Sequence, residues 1–361
     1  MIKKIIKKLY LWGTRVFIWG TVLISVVMIL RFFVFDVYYV PTGSMNHTIK
    51  PGELIVANKM KYGARWFCGE KVSRLPGTGS INRNDIVVFN FPEGDTIYKD
   101  LQGNYYEFLR AIAQGKEVLT GLSEREKCYI PMSSRQPYVK RCVGMPGDTL
   151  KIREGVVFCN SKFMEGISTQ INRYRIEGKQ QLVDSVMGLE NIEGYWKINK
   201  KEEFAFYATE QTYSHLIKRY SNLVIKPLYS LWRRSNIFPF HKERKQCYSY
   251  DEYGPVYIPA QGDTIVLSKK NLLQYLRLIK VYENNSVELK GDEIIINGNK
   301  TERYVVKQNY YFMMGDNRYC SIDSRSWGFV PEDHIIGKTQ IVLFSKLPDG
   351  QIRWNRIGFI E

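Results

Sequence analysis

No two of the six cysteines (Cys68, Cys128, Cys142, Cys159, Cys247 and Cys320) are spaced C-x-x-C. The spacing supports neither a thiolate zinc site nor a thioredoxin-like redox pair. A chain of this length builds a core without disulfides, so free and mostly buried thiols are expected. Histidine is scarce too. His47, His215, His241 and His334 sit in no context that marks a base, and His47, just beyond Ser44 in a turn, reads as a surface residue. A G-x-S-x-G elbow, an H-E-x-x-H helix and a Walker loop are all missing, which removes support for an α/β-hydrolase, a zincin or a nucleotide site. Neither a metal nor a cofactor is expected. Acidic residues are outnumbered, 36 against 52 Lys and Arg, leaving a net charge of +16. Such a balance suits a polyanion or an anionic lipid surface. Zinc-finger spacing, an aromatic-basic RNA-binding signature and a basic zipper are absent. The basic residues are dispersed, so a basic surface facing lipid is read in preference to nucleic acid.

Long apolar runs are lacking after Leu30, and one stands before it. Lys3, Lys4, Lys7 and Lys8 precede "LYLWGTRVFIWGTVLISVVMILRFFVF". Val16 to Leu30 is charge-free, and with its neighbours back to Leu9 the stretch reaches the ~20 residues a bilayer requires. Arg15 and Arg31 flank it and can snorkel, while Trp12, Trp19, Phe32, Phe33 and Phe35 suit interfacial or lipid-facing positions. No small-x-small cleavage site follows, so a retained anchor is read rather than a cleaved leader. Lysines on the N-terminal side place that end in the cytoplasm and the rest of the chain outside it.

From Asp36 onward, short apolar runs alternate with turn residues, which predicts a mostly β architecture. "ELIVANK" and "DIVVFNF" read as buried strands, "GDTLKIREGVVFCNSK" as strand-turn-strand, and Asn297-Gly298 as a hairpin turn. "GDTIVLS" (Gly262 to Ser268) echoes Gly147 to Leu150. Helical spacing occurs at Asn104 to Gly115 and at Lys269 to Glu283. Ile171 to Tyr250 is basic, Tyr-rich and irregular, and reads as an insertion or second lobe.

Three segments carry chemistry. "PTGSM" (Pro41 to Met45) offers two hydroxyls around a glycine, with amides able to receive an oxyanion; Pro, Gly and Ser also make ordinary turns. "YVKRCVGMPGD" (Tyr138 to Asp148) sets Lys140 and Arg141 in an apolar strand. Alternation points them to opposite faces, so one of the two faces inward. A buried lysine loses basicity from ~10.4 towards neutrality and can then take a serine proton. An edge strand with two solvated cations fits the same letters. "MMGDNRYCSIDSRSWGFVP" (Met313 to Pro331) packs Asp316, Asn317, Arg318, Ser321, Asp323, Ser324 and Arg325 into a hydrogen-bonding loop. If Ser44 is activated, Lys140 is the base best placed to do it.

Together these segments resemble the type I signal peptidase (leader peptidase) family, in which an anchor precedes P-S-G-S-M, a G-D-I-V-V-F-like strand, Y-x-K-R-x-V-G-x-P-G-D and G-D-N-R-x-x-S-x-D-S-R-x-W-G-x-V-P. Here the order is "PTGSM", "NDIVVFNFP", "YVKRCVGMPGD" and "GDNRYCSIDSRSWGFVP". The resemblance implies Ser44 as nucleophile and Lys140 as general base. It implies the Ser44 amide and the Thr42 hydroxyl as oxyanion donors, and Ser321 as a residue that positions the lysine. Asp323 and Arg325 match a supporting pair, and Arg141 follows the base. Tyr38, Val40, Met45, Val88, Tyr138 and Val139 match positions lining shallow substrate pockets. It also implies a mostly β fold interrupted by a variable domain: an N-terminus of 1–8, an anchor of 9–31, a catalytic β domain from 36–158 and 285–361, and an insert of 159–284. The expected partners are precursor proteins bearing signal peptides, and membrane lipids, with the catalytic domain on the periplasmic side of the inner membrane. Thr42, His47, Asn84, Tyr319 and Cys320 depart from the family letters, and 96–137 is an extra insertion. Three further readings use the same residues: a dedicated Ser-Lys processing protease, an inactive tethered binding relative, and a basic lipid- or polymer-binding domain.

Overall fold

The computed structural model describes residues 2–360 apart from 70, 100–105, 107–124, 165, 191, 193, 200–201, 231–236 and 241–247. The helix expected over Asn104 to Gly115 lies almost wholly outside the described residues, as do Cys247 and His241.

A single helix, Ile2–Phe33, opens the chain. It begins earlier than the expected anchor and takes in nearly all of the lysine-rich N-terminus. Its apolar part, Tyr10–Phe33, has 24 residues, about 36 Å at 1.5 Å per residue, enough for a hydrocarbon core of about 30 Å. The side chains of this part are not covered by the rest of the protein; Trp12 and Trp19 are 68% and 71% exposed. Its threonine and serine hydroxyls are satisfied within the helix. Thr14, Thr21 and Ser25 donate to the carbonyls of Leu11, Phe17 and Thr21, which lets them sit in lipid.

The helix runs almost directly into the main sheet. This sheet is antiparallel, in the order Phe35–Val40, Glu53–Asn58, Ile335–Ser345, Ile86–Asn90, Pro137–Gly144, Tyr310–Met314, Val330–Pro331, with Gly358–Phe359 paired on Ile335–Ser345. The central strand Ile86–Asn90 is buried at every position. Ile86 and Val88 join a core with Val40, Met45, Ile49 and Ile55, whereas Val87 and Phe89 join another with Cys142, Met313 and Trp327. Period-two alternation between two covered faces explains why "IVVF" is apolar throughout, up to the buried polar Asn90 at its end.

A larger core lies beyond, joining Val143 and Phe312 of the main sheet to Leu150, Ile152, Tyr253, Val256 and Ile279. The strand-turn-strand expected from "GDTLKIREGVVFCNSK" is Thr149–Arg153 and Val156–Cys159. Thr264–Val266 is the strand within "GDTIVLS". Asn297 and Gly298 take φ of 51° and 80°, the left-handed pair that a tight hairpin demands. The helix expected over Lys269 to Glu283 is shorter, Leu272–Arg277, and widens into a π-turn over Leu278–Tyr282.

Residues 171–227, irregular in sequence, form an ordered unit. Its sheet runs Trp196–Lys197, Glu203–Thr209, Ile171–Glu177, Val224–Pro227, and the helices Gln180–Leu189 and Glu210–Arg219 pack on it. Tyr174, Ile176, Val183, Met187, Phe204, Phe206 and Leu216 make a core of its own. Of the five described cysteines all are free, but only Cys142 and Cys159 are buried; Cys68 and Cys320 are exposed.

Candidate active site

Ser44 sits on the turn that follows Phe35–Val40. The turn is tied by Ile49 N–H to the Met45 carbonyl, 2.7 Å, and by Gly52 N–H to the Val40 carbonyl, 2.9 Å. Met45 and Ile49 are fully buried. They act as apolar pegs that fix the turn and leave Ser44, itself nearly buried, facing a cleft. Met45, matched by resemblance to a pocket-lining position, therefore packs in the core behind the nucleophile position.

Lys140 lies in the middle of Pro137–Gly144, paired with Val87 across the central strand. Only 4% of it is exposed. Its Nζ is 2.6 Å from Ser44 Oγ and donates to the Val139 carbonyl at 3.0 Å. It has no ion pair among the described residues. Burial lowers its pKa from 10.5 to about 8, with the charges of Asp323 and Asp316 restoring part of the loss. A lysine near neutrality beside a hydroxyl is what proton abstraction from serine requires.

Arg141 points the other way and is buried as well. Alternation suggested one inward cation; because both faces of the sheet are covered, both side chains are enclosed. The guanidinium is matched in full. Its Nε and Nη2 donate to the two oxygens of Asp316 at 2.8 and 2.6 Å, and its Nη1 to the Asn84 carbonyl at 2.8 Å. Thr48 also donates to Asp316, at 2.5 Å. Asp323 and Arg325 make a second bidentate pair, 2.9 and 2.7 Å, fully buried. Burial pushes Asp323 up, but the Arg325 charge and its hydrogen bonds overcome this and hold the carboxyl below its usual value. Asp323 also accepts from Gly315 N–H at 3.1 Å and caps the short helix Ser324–Trp327.

Sequence reasoning had no role for Asp316 and Asn317 beyond loop structure. Asn317 donates its backbone N–H to the Ser44 carbonyl and its side-chain amide to the Gly43 carbonyl, both at 3.1 Å. The available signal was charge accounting, since a second buried arginine demands a carboxylate. Ser321 is buried, its Oγ without a hydrogen-bond partner. It makes no hydrogen bond to Lys140, whose second contact is the Val139 carbonyl. Gly315 allows the close approach here: a Cβ on it would lie 2.2 Å from Ser321 Oγ and 2.5 Å from the Ser44 carbonyl oxygen.

A cleft of about 390 Å³ opens at Ser44 and Lys140, lined by Tyr38, Val40, Val88, Tyr138 and Val139 from the expected set. Tyr39, Ile55, Gln136, Pro137, Cys320 and Ile322 complete it. Tyr138 is held by stacking on Phe91, 4.5 Å between centroids, and by the edge of Trp327. Thr42 lines the mouth. Among the described residues neither the Thr42 hydroxyl nor the Ser44 amide donates a hydrogen bond, so both are free for a ligand oxygen.

The departures from the family letters have local explanations. Asn84 has φ of 71°, a left-handed conformation natural to glycine and tolerated by asparagine. His47, at φ of 72°, stands where a proline ring, fixed near −65°, could not. It is exposed as expected, and partial burial followed by the charges of Lys50 and Arg356 lowers its pKa. His334 is instead buried between Arg135 and Asp333, away from the cleft. Tyr319 donates to Asp251 at 2.7 Å.

Residues 13–212 and 260–344 match the family described as "Signal peptidase, peptidase S26". The chain is 26% identical over 342 residues to a protein named signal peptidase I from Buchnera aphidicola subsp. Acyrthosiphon pisum, covering 93% of this chain and 78% of that one. It is 25% identical over 332 residues to signal peptidase I of Haemophilus influenzae (89% and 67% covered). Over a shorter stretch of 127 residues it is 32% identical to signal peptidase I of Aquifex aeolicus (34% and 48% covered).

Proposed function

The chain belongs to the signal peptidase family, peptidase S26, and on that premise we propose that Ser44 and Lys140 form the dyad with which this membrane-anchored serine endopeptidase removes signal peptides from precursor proteins. The observation that carries this assignment is the 2.6 Å approach of a buried, uncompensated amine to the Ser44 hydroxyl.

With Lys140 neutral, the Ser44 hydroxyl donates to Nζ. As the proton transfers, Oγ bonds to the carbonyl carbon at the cleavage site. The resulting oxyanion is received by the Ser44 amide and the Thr42 hydroxyl. Lys140 returns the proton to the leaving amine as the C–N bond breaks, and the mature protein departs with a new N-terminus. Water then gives a proton to Lys140 and attacks the ester; as the ester C–O bond breaks, Lys140 passes that proton to Ser44 Oγ, releasing the signal peptide and restoring both residues. The shallow apolar cleft suits the small residues that precede a leader cleavage site, and an extended substrate can lie beside its strands.

Asp316 with Arg141, and Asp323 with Arg325, are proposed to hold the geometry. Ser321 is proposed to orient Lys140 once Ser44 has moved onto the substrate. The catalytic β domain is assigned to 36–158 and 285–361 and the insert to 159–284. The lysine-rich N-terminus is placed in the cytoplasm, and the cleft outside it, in contact with membrane lipid. The test is cleavage of a secretory precursor by the full chain in vesicles. Ser44→Ala and Lys140→Ala should each lower release of mature protein at least about a thousandfold; undiminished cleavage by either variant removes the dyad, whereas no cleavage by the wild type favours the tethered-binding reading.

A further inference from the structure

The loop that holds Ser44 has a second face. Cys320 and Ile322 line the cleft, whereas Arg318 and Tyr319 line a different cavity of about 660 Å³. That cavity lies where Val156 and Val157 of the catalytic side meet Asn172 and Tyr174 of the 171–227 unit. Its size is that of a small-molecule site.

Arg318 is only 6% exposed. Its Nε is buried without a partner, and its side-chain contact among the described residues is Nη1 to the Met314 sulfur at 3.4 Å. The surrounding charges explain why. Three guanidinium groups, Arg141, Arg318 and Arg325, meet two carboxylates, Asp316 and Asp323. Both carboxylates are already held bidentately by Arg141 and Arg325. A third buried carboxylate, Asp251, accepts from Tyr319 and acts on Arg325 and Arg173, so Arg318 is the one of the three guanidiniums that no carboxylate bonds among the described residues. Burial, and then repulsion from Arg325, pushes its pKa down to about 10. A buried guanidinium without an anion is costly, so this one is poised to accept an anion.

The cavity wall supplies the rest of a site. Arg173 lies over the Tyr319 ring, 4.6 Å from its centroid, and the aromatic side chains of Phe163, Tyr213 and Tyr229 line the same space. Glu154 and Glu210 are also on the wall; Glu210 is engaged by the Tyr174 hydroxyl at 2.9 Å, and the carboxylates acting most on Arg318 are Asp316 and Asp323.

We propose that this cavity is a binding site for a small organic oxyanion, a phosphate or carboxylate that pairs with Arg318 and carries an aromatic or aliphatic body that rests on the tyrosines. The site is separate from the cleft but shares its loop. Arg318 N–H bonds to the Ile171 carbonyl at 3.2 Å, and the adjoining Asn317 holds the Ser44 and Gly43 carbonyls. An anion at Arg318 therefore tightens the segment that positions Ser44.

The test is thermal unfolding of the full chain in neutral detergent, titrated with phenyl phosphate, benzoate or inorganic phosphate. A saturable rise in melting temperature is expected for all three. Phenyl phosphate should bind about three- to tenfold more tightly than inorganic phosphate, because its ring meets aromatic faces. Arg318→Gln should abolish the rise. Since that variant can fail to fold, Asn172→Asp is the second arm: it is isosteric, and it places a carboxylate on the cavity wall. It should lose anion binding while melting higher than wild type without ligand. An equal rise with sodium chloride at matched ionic strength, or an unaltered phenyl phosphate response in Asn172→Asp, overturns the proposal.

Discussion

Lys140 concentrates most of the chemistry in one titration. Its folded pKa of about 8 lies below the 10.5 of an unperturbed lysine because burial disfavours the charge. Only the neutral amine can take the Ser44 proton, so the rate constant for cleavage at low substrate should climb about tenfold per pH unit up to 8 and level off above it. A profile flat from pH 6 to 9 contradicts this. The same shift bears on stability. The unfolded chain binds the proton more tightly, so at neutral pH folding carries a penalty of about 3 kcal/mol, which fades as pH rises from 8 to 10.5. Lys140→Met should therefore be inactive yet up to about 3 kcal/mol more stable in urea unfolding at pH 7, with the gain lost near pH 10.5. Lower stability at pH 7 would show that the amine is not held against its charge. Gly315 is a second decisive residue. Its missing side chain leaves room for Ser321 and for the backbone oxygen of Ser44, and that backbone cannot yield without moving the nucleophile. Gly315→Ala should cost about a hundredfold in turnover with the fold retained, as misplacement of reacting atoms by about 1 Å does. Wild-type turnover would contradict the close approach.

Among the elements, the junction between the anchor helix and the first strand sets where Ser44 stands relative to lipid. Lys59, on the segment after the neighbouring strand, donates to the Arg31 carbonyl at the helix end, 2.8 Å, and to Asp36 at 3.2 Å. Arg31 closes the arrangement with its own 3.0 Å bond to Asp36, and Lys59 N–H bonds to the Val34 carbonyl. The helix is thereby clamped to the sheet. Lys59→Met should lower cleavage of a membrane-inserted precursor severalfold and leave cleavage of a short soluble peptide unchanged. An equal loss on both substrates would place the effect in the cleft instead. The strands were largely legible, because their "LIVA" and "IVVF" segments are apolar runs bounded by polar and turn residues. The pairing of Arg141 with Asp316 was not. It depends on the register of Tyr310–Met314 against Pro137–Gly144, which joins residues far apart in the chain. The helix after Lys269 was legible in type but not in length, since the apolar period gives no sign of the π-turn that widens it.

For the whole molecule, the fold class and the order of the chemical segments could be read because a serine, a lysine and a polar loop recur with distinctive neighbours. The 171–227 unit could not. In "INRYRIE" arginine and tyrosine interrupt the apolar alternation, and its core is assembled from helices and strands that are individually weak signals. The exposure of Cys320 was also hidden, since it follows from the loop path and not from residue type. Of the net charge of +16, six positive charges lie in the anchor helix (Lys3, Lys4, Lys7, Lys8, Arg15 and Arg31), and the +10 on the rest of the chain acts at this scale. The domain without its anchor should bind vesicles containing anionic lipid and release from them as salt rises from 0.05 to about 0.5 M, where screening falls to a few ångströms; salt-independent binding would point to apolar insertion alone. The most direct measurement is the titration of Lys140 itself, in the intact chain embedded in lipid nanodiscs. Carbon-13-labelled lysine would be used, with the Lys140 signal assigned by its disappearance in Lys140→Met. An amine that loses its proton near pH 8, and whose titration moves when Ser44 is replaced by alanine, is the result expected. A Lys140 that titrates near 10.4 and ignores Ser44 would contradict the account.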